Sequence, residues 1–214
     1  MARLALLLAL ATPLCILFVD QPVAHWVAAH DTIPGGWSGV LHVLEYAIGI
    51  EPWRWIGVCV LVAGALATQL VWRRQRTAWT LVALTHLLAT NVMWWSKLAF
   101  GRLRPLDWHG GATFFEGGGS FPSGHVMLFA SVVLPIVTLY PRAWPLLAVP
   151  IYAAIARVMV NAHFVSDVVG GFAATAAITA LCAAAVRRSA VASSPLVSTS
   201  PKPTDPEANP QYRK

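Results

Sequence analysis

Thr77–Ser96, TAWTLVALTHLLATNVMWWS, runs for twenty residues without a charged side chain, and Lys97 closes it. A helix needs about 20 mostly apolar residues to cross the hydrocarbon core, where it must satisfy its backbone internally. The run therefore predicts a transmembrane helix. On its N-terminal side, Arg73, Arg74 and Arg76 separate it from a second uncharged run, Trp55–Trp72. Four further apolar runs are Leu4–Val19, Val126–Tyr140, Ala143–Val160 and Val168–Val186, the last closed by Arg187 and Arg188. The fourth and fifth runs in chain order are short for a full crossing. The expected architecture is all-α: an integral-membrane bundle of about six transmembrane helices over residues 1–188. A Ser/Pro-rich cytoplasmic tail, residues 189–214, has little to bury and is expected to be disordered.

The whole-chain composition agrees. Hydrophobic residues make up 57% of the 214 and charged residues 11%, against about 25% charged in soluble domains. Mean hydropathy is +0.62. The net charge of +6 is scattered in small groups between apolar runs, which is the pattern of membrane loops and not of a nucleic-acid surface. Cys15, Cys59 and Cys182 lie far apart within apolar runs, so neither a disulfide framework nor a zinc site is expected. Leu4–Val19 lacks small residues at a good cleavage position and reads as a retained helix, not a signal peptide.

Lys and Arg placement predicts the orientation. With a cytoplasmic N-terminus, Arg3, Arg73, Arg74, Arg76, Arg142, Arg187 and Arg188 fall inside. Arg54, Lys97, Arg102, Arg104 and Arg157 fall outside, and three of these belong to the motif below. Both termini are thus expected in the cytoplasm of a plasma (inner) membrane, with the motif on the outer, periplasmic face. Between the first two spans, Trp37, Val40, Leu41, Leu44, Ala47 and Ile48 recur at helical spacing, predicting a short helix on the outer surface or an extension of the second span. Trp residues cluster at run ends, where interfacial anchoring accounts for them.

Three polar pieces fall at the outer ends of these helices. They are Lys97-LAFGRL-Arg104-Pro105, Pro122-Ser123-Gly124-His125, and Arg157-VMVNA-His163-FVS-Asp167. Cations at membrane depth are costly and usually have a partner. Three that converge suit a phosphate, whose oxygens match the forked donors of Arg. If the first piece is helical, Lys97 and Arg104 share one face, two turns apart. Ser123 and Gly124 at a helix start offer a hydroxyl and free N–H groups to an anion. Asp167, four residues after His163, can hold one ring nitrogen and sharpen the other as a nucleophile. His125, from a separate helix, could protonate a leaving oxygen. Singly, each piece could be a helix start, a surface ion pair, a pair of metal ligands or an interfacial anchor. Arg102 lies off the Lys97/Arg104 face and reads as an anchor or headgroup contact. The connection Leu106–Phe121 is expected as a flexible lid or a plain interfacial loop.

Together the pieces resemble the signature of the type-2 phosphatidic acid phosphatase family, K-x6-RP, PSGH and SR-x5-H-x3-D, with Ala156 where the family has Ser. The resemblance covers Lys97 to Asp167, about a third of the chain. It implies a metal-independent lipid phosphatase without cofactor. His163 would be the nucleophile that becomes phosphohistidine, Asp167 its orienting carboxylate and His125 the proton donor. Lys97, Arg104, Arg157, Ser123 and the Gly124 N–H would hold the phosphoryl oxygens. The implied partners are the bilayer and a membrane lipid phosphate: undecaprenyl diphosphate, phosphatidylglycerol phosphate, phosphatidic acid or lipid A. The HF-x-SD form around His163 and the Gly-Gly after the RP piece resemble the lipid A phosphatase branch. The same signature serves vanadate-dependent haloperoxidases, which are soluble, and the six apolar runs speak against that reading. A transporter or scaffold with buried charges along a path is the non-enzymatic alternative.

Overall fold

The computed structural model describes residues 1–30, 40, 43, 55–70 and 75–192. The surface helix expected around Trp37–Ile48 therefore lies outside the described residues, apart from Val40 and Val43, and so do residues 193–214. Seven α-helices are described: α1 (Ala2–Phe18), α2 (Asp20–Ala29), α3 (Trp55–Leu70), α4 (Arg76–Phe100), α5 (Gly124–Leu139), α6 (Ala148–Met159) and α7 (Val165–Ala192). Short 3-10 turns cover Pro105–Asp107 and Pro141–Leu147. Among the described residues there is no strand. Each of the six apolar runs has become a helix.

Two lengths differ from the sequence reading. Only twelve residues of the Ala143–Val160 run are α-helical, because Pro141 and Pro145 hold its start in a 3-10 turn. The last helix passes Arg188 and continues to Ala192, since nothing between Arg188 and Ala192 breaks it. By length and hydropathy, Val165–Ser189 qualifies alone as a membrane span. Helices α1 and α2 qualify only together, bent by 59° at their junction.

Helix α5 lies at the centre, packed against α4, α6 and α7, while α1 runs along α7. Its Met127 and Leu128 meet Leu81, Ala89 and Met93 of α4 and Ile178, Cys182 and Ala183 of α7. Ala130 meets Ala5 and Ala176, small residues that let three helices approach closely. Outward-facing leucines of α1 (Leu7, Leu10, Leu14 and Leu17), with Trp95 and Leu181, remain exposed. This inverted arrangement suits a surface bathed in lipid tails.

Candidate active site

Four helix ends meet at the site, and each end follows from local sequence. Helix α4 stops because Gly101 takes a left-handed conformation (φ 48°) and its N–H closes on the carbonyl of Lys97 at 3.0 Å. That is the αL stop for which glycine has no steric penalty. The chain then leaves extended through Arg104 (ψ 156°). Lys97 and Arg104 are therefore not two turns apart on one helix, and the left-handed stop is the reason. Helix α6 ends in a Schellman turn. Asn161 is left-handed (φ 54°), its N–H bonds Val158 O at 2.8 Å, and the Ala162 N–H bonds Arg157 O at 3.1 Å. The His163 N–H reaches the same Arg157 carbonyl at 3.2 Å. The five-residue gap between Arg157 and His163 is the length of this turn.

The other two ends are N-termini. Ser123 precedes α5 with its side chain making no cap. Its Oγ is fully buried without a hydrogen-bond partner among the described residues. The Ser123 N–H bonds the Asp167 carbonyl at 3.0 Å, tying the PSGH turn to the head of α7. In α7 Asp167 occupies the third helical position, and its Oδ2 accepts the Phe164 N–H at 2.8 Å, a capping-box bond.

His163 stands just outside α7, 3% exposed. Its Nδ1 faces Ser120 Oγ at 3.3 Å and Asp167 Oδ2 at 3.5 Å. Ser120 Oγ donates to Asp167 Oδ2 at 2.5 Å, so hydroxyl and carboxylate together face this nitrogen. Burial lowers the pKa of His163 from 6.5 to about 4, outweighing Asp167, which raises it; Lys97 and Arg157 lower it further. Burial thus favours the uncharged ring. Lys97 lies within electrostatic reach of Arg104, Arg157 and Asp167. A Cβ on Gly124 would sit 3.7 Å from Lys97 Cε. Lys97, Arg104, Ser123, Gly124, Arg157, His163 and Asp167 thus belong to one end of the bundle. His125, the second residue of α5, is half-buried at that end. Ala156, where a Ser was expected, is buried against Phe129 and Ala153.

Arg102 is not an anchor. It is 1% exposed, because beyond the Gly101 stop its side chain turns inward. Its Nη1 donates to Asp167 Oδ1 and Ser166 Oγ, both at 2.6 Å, and its Nη2 to Asp20 Oδ2 at 2.7 Å. The guanidinium lies between the rings of Phe114 and Phe164, 4.5 and 4.3 Å from their centroids. Sequence reading missed Asp20, Ser120 and Ser166 altogether. One signal was available: Asp20 is the sole acid in residues 1–30, at the end of an apolar run.

The Leu106–Phe121 connection is laid back along residues 100–103. Leu103 N–H bonds Thr113 O, Phe115 N–H bonds Phe100 O, Gly118 N–H bonds Gly101 O, and Ser120 N–H bonds Arg102 O, all at 2.8–2.9 Å. A Cβ on Gly118 would lie 2.3 Å from Arg102 O, so the backbones meet where only glycine fits. Lys97 Nζ donates to the Gly119 carbonyl.

An all-helical bundle with a histidine, carboxylate and cation set at one end defines a class of membrane protein, and comparison with known proteins names it. The chain belongs to the PAP2 superfamily, whose family model matches residues 77–190. It is 37% identical over 102 residues to a protein named lipid A 1-phosphatase from Rhizobium etli, covering 44% of this chain and 42% of the relative. It is 36% identical over 88 residues to a lipid A 1-phosphatase from Rhizobium johnstonii, covering 36% of this chain and 35% of that one. The matches thus span less than half of either relative. The fold is similar to the crystal structure of a transmembrane PAP2-type phosphatidylglycerolphosphate phosphatase from Bacillus subtilis. That match has a TM-score of 0.58 at 19% identity and covers 86% of this chain and 96% of the other.

Proposed function

We propose that this membrane protein removes phosphate from a membrane lipid through a phosphohistidine at His163. The observation that carries the reading is a buried, neutral imidazole whose Nδ1 faces Ser120 and Asp167, within electrostatic reach of Lys97 and Arg157. In the first step Nε2 attacks phosphorus and an N–P bond forms. The P–O bond to the lipid breaks, and the leaving oxygen takes a proton from His125. In the second step His125 accepts a proton from water, whose oxygen attacks phosphorus. The N–P bond breaks and inorganic phosphate leaves. Lys97, Arg104, Arg157, the Ser123 hydroxyl (unpartnered among the described residues) and the Gly124 N–H hold the phosphoryl oxygens, so charge stabilisation and positioning supply the catalysis. The cations take the place of a metal in this scheme, and release is expected to survive excess chelator.

The proposed setting is six crossings of the plasma (inner) membrane, with the site on the outer face and both termini cytoplasmic. The Lys and Arg distribution supports this. The partial match to lipid A 1-phosphatases favours a phosphate on the anomeric carbon of a glycolipid over phosphatidylglycerol phosphate, phosphatidic acid or undecaprenyl diphosphate. The deciding measurement is phosphate release in detergent over a panel of these four classes. Preferred release from the glycolipid 1-phosphate is expected; activity on none of the four would sink the reading. For the orientation, His109→Cys in a cysteine-free background should react with a membrane-impermeant thiol reagent on intact spheroplasts, and Ser198→Cys should not.

A further inference from the structure

Asp20 lies 147 positions before Asp167 in the chain, yet one guanidinium joins their two carboxylates. The 59° bend between α1 and α2 brings it there. Asp20 is the first residue of α2 and is 2% exposed. Its Oδ2 accepts Arg102 Nη2 at 2.7 Å and Ser166 Oγ at 2.5 Å, and its Oδ1 accepts the Ser166 N–H at 2.9 Å. Every one of these donors touches Asp167 or is its chain neighbour.

We infer that Asp20 is a positioning residue for the nucleophile, acting through Arg102 and Asp167; the inference rests on the reading of His163 as the attacking group. The geometry runs in one direction. Arg102 Nη1 occupies Asp167 Oδ1 at 2.6 Å, so the carboxylate is turned with Oδ2 towards Ser120 and His163 Nδ1. Arg102 can hold that angle only if its own plane is fixed. Phe114 and Phe164 confine the plane from both sides, Thr113 Oγ1 accepts from Nε at 3.3 Å, and Asp20 takes the far end of the fork. A guanidinium is suited to this because its planar, rigid fork fixes the angle between the two carboxylates it addresses, whereas the donors of an ammonium rotate.

Charge gives Asp20 a second part to play. Two carboxylates share one guanidinium, so the buried cluster carries one net negative charge beside the ring. When Nε2 gives its lone pair to phosphorus while Nδ1 keeps its proton, positive charge appears on the imidazole. The cluster's surplus charge stabilises that product in a setting of low dielectric. Without Asp20 the cluster is neutral, and Arg102 loses the carboxylate at the far end of its fork.

The test uses the full chain in detergent, with Asp20→Asn compared with wild type and Asp167→Asn. Asp20→Asn is expected to lower kcat by roughly 10- to 100-fold, by analogy with the range found when outer partners of metal-ligating histidines are removed. KM should stay within about threefold, since the phosphate-holding cations are untouched, and the rate of phosphoenzyme formation should fall with kcat. In an Asp167→Asn background the same change should cost less than about threefold, because a residue acting through Asp167 has nothing left to act on. A merely structural aspartate would instead lower both backgrounds alike. Where Asp20→Asn does not fold, judged by thermal melting, Ser166→Ala decides. It removes one hydroxyl shared by Asp20 and Arg102, and kcat should drop several-fold at unchanged KM. Unchanged kcat in the folded variant, equal losses in both backgrounds, or a loss confined to KM would overturn the proposal. Full activity of His163→Ala would overturn the phosphohistidine reading instead, so the two failures are separable.

Discussion

Two histidines in this bundle are equally hidden, each 3% exposed and each with Nδ1 facing a serine hydroxyl. His86, halfway along α4, meets Ser131 of α5 at 2.7 Å, and that serine passes its own proton to the Leu128 carbonyl at 2.7 Å. The hydroxyl is thus an acceptor for His86, and the chain of bonds ends on the backbone. At His163 the serine's proton goes to a carboxylate, the carboxylate is held by a guanidinium, and two further cations act on the ring. Burial and a hydroxyl make a helix–helix tie. Burial, a carboxylate and two nearby cations make the setting that the proposed nucleophile requires.

The comparison breaks most directly at the rings themselves. His163→Ala should reduce turnover at least ten-thousand-fold, on the order of losses when a nucleophile or its base is deleted. Lipid phosphate binding should persist, because Lys97, Arg104 and Arg157 remain. Rapid quenching with radiolabelled substrate should trap label on the wild-type protein and not on this variant. Label appearing on His125 would exchange the two roles. The carboxylate comes next: Asp167→Asn keeps the ring and loses its orientation, for an expected fall of roughly a thousand- to ten-thousand-fold in kcat. A residue of activity is expected.

A smaller effect concerns pH. A histidine held only by a carboxylate would titrate above 6.5, and its neutral form would vanish as pH fell through that value. His163 is lowered to about 4 by burial, so its neutral, attacking form persists down to that range. The acid limb of kcat/KM that belongs to this ring should lie well below pH 6. The least effect is expected at the other histidine. Ser131→Ala leaves His86 Nδ1 without its acceptor, which should cost about 1–3 kcal/mol of stability, while kcat stays within about twofold. A large kcat loss there, with melting unchanged, would erase the distinction between the two sites.

The sequence carried the ends of the argument better than its middle. Uncharged runs closed by Arg or Lys mark the helices, because hydrocarbon admits little else. The motif residues are legible because charged side chains at the ends of apolar runs are costly without a partner. Arg102 escapes the sequence reading because helical periodicity does not continue through Gly101, whose left-handed turn ends the helix before it. Asp20 was hidden for a different reason. Its partners lie more than 80 positions away, and a 59° bend at Val19 leaves no local pattern of caps or periodicity to announce it. Ser120 and Ser166 are ordinary residues until folding places a carboxylate beside each.

The Schellman turn after α6 also has a bearing on how this chain can change over generations. Connections between helices are usually where length varies most freely. Here the carbonyl of Arg157 receives the N–H groups of both Ala162 and His163, so the turn works as a ruler between the guanidinium of one and the ring of the other. One residue added or lost between them would move His163 by about 3.8 Å along the chain and redirect its side chain. The spacing between Arg157 and His163 is therefore held by this turn whatever side chains lie within it.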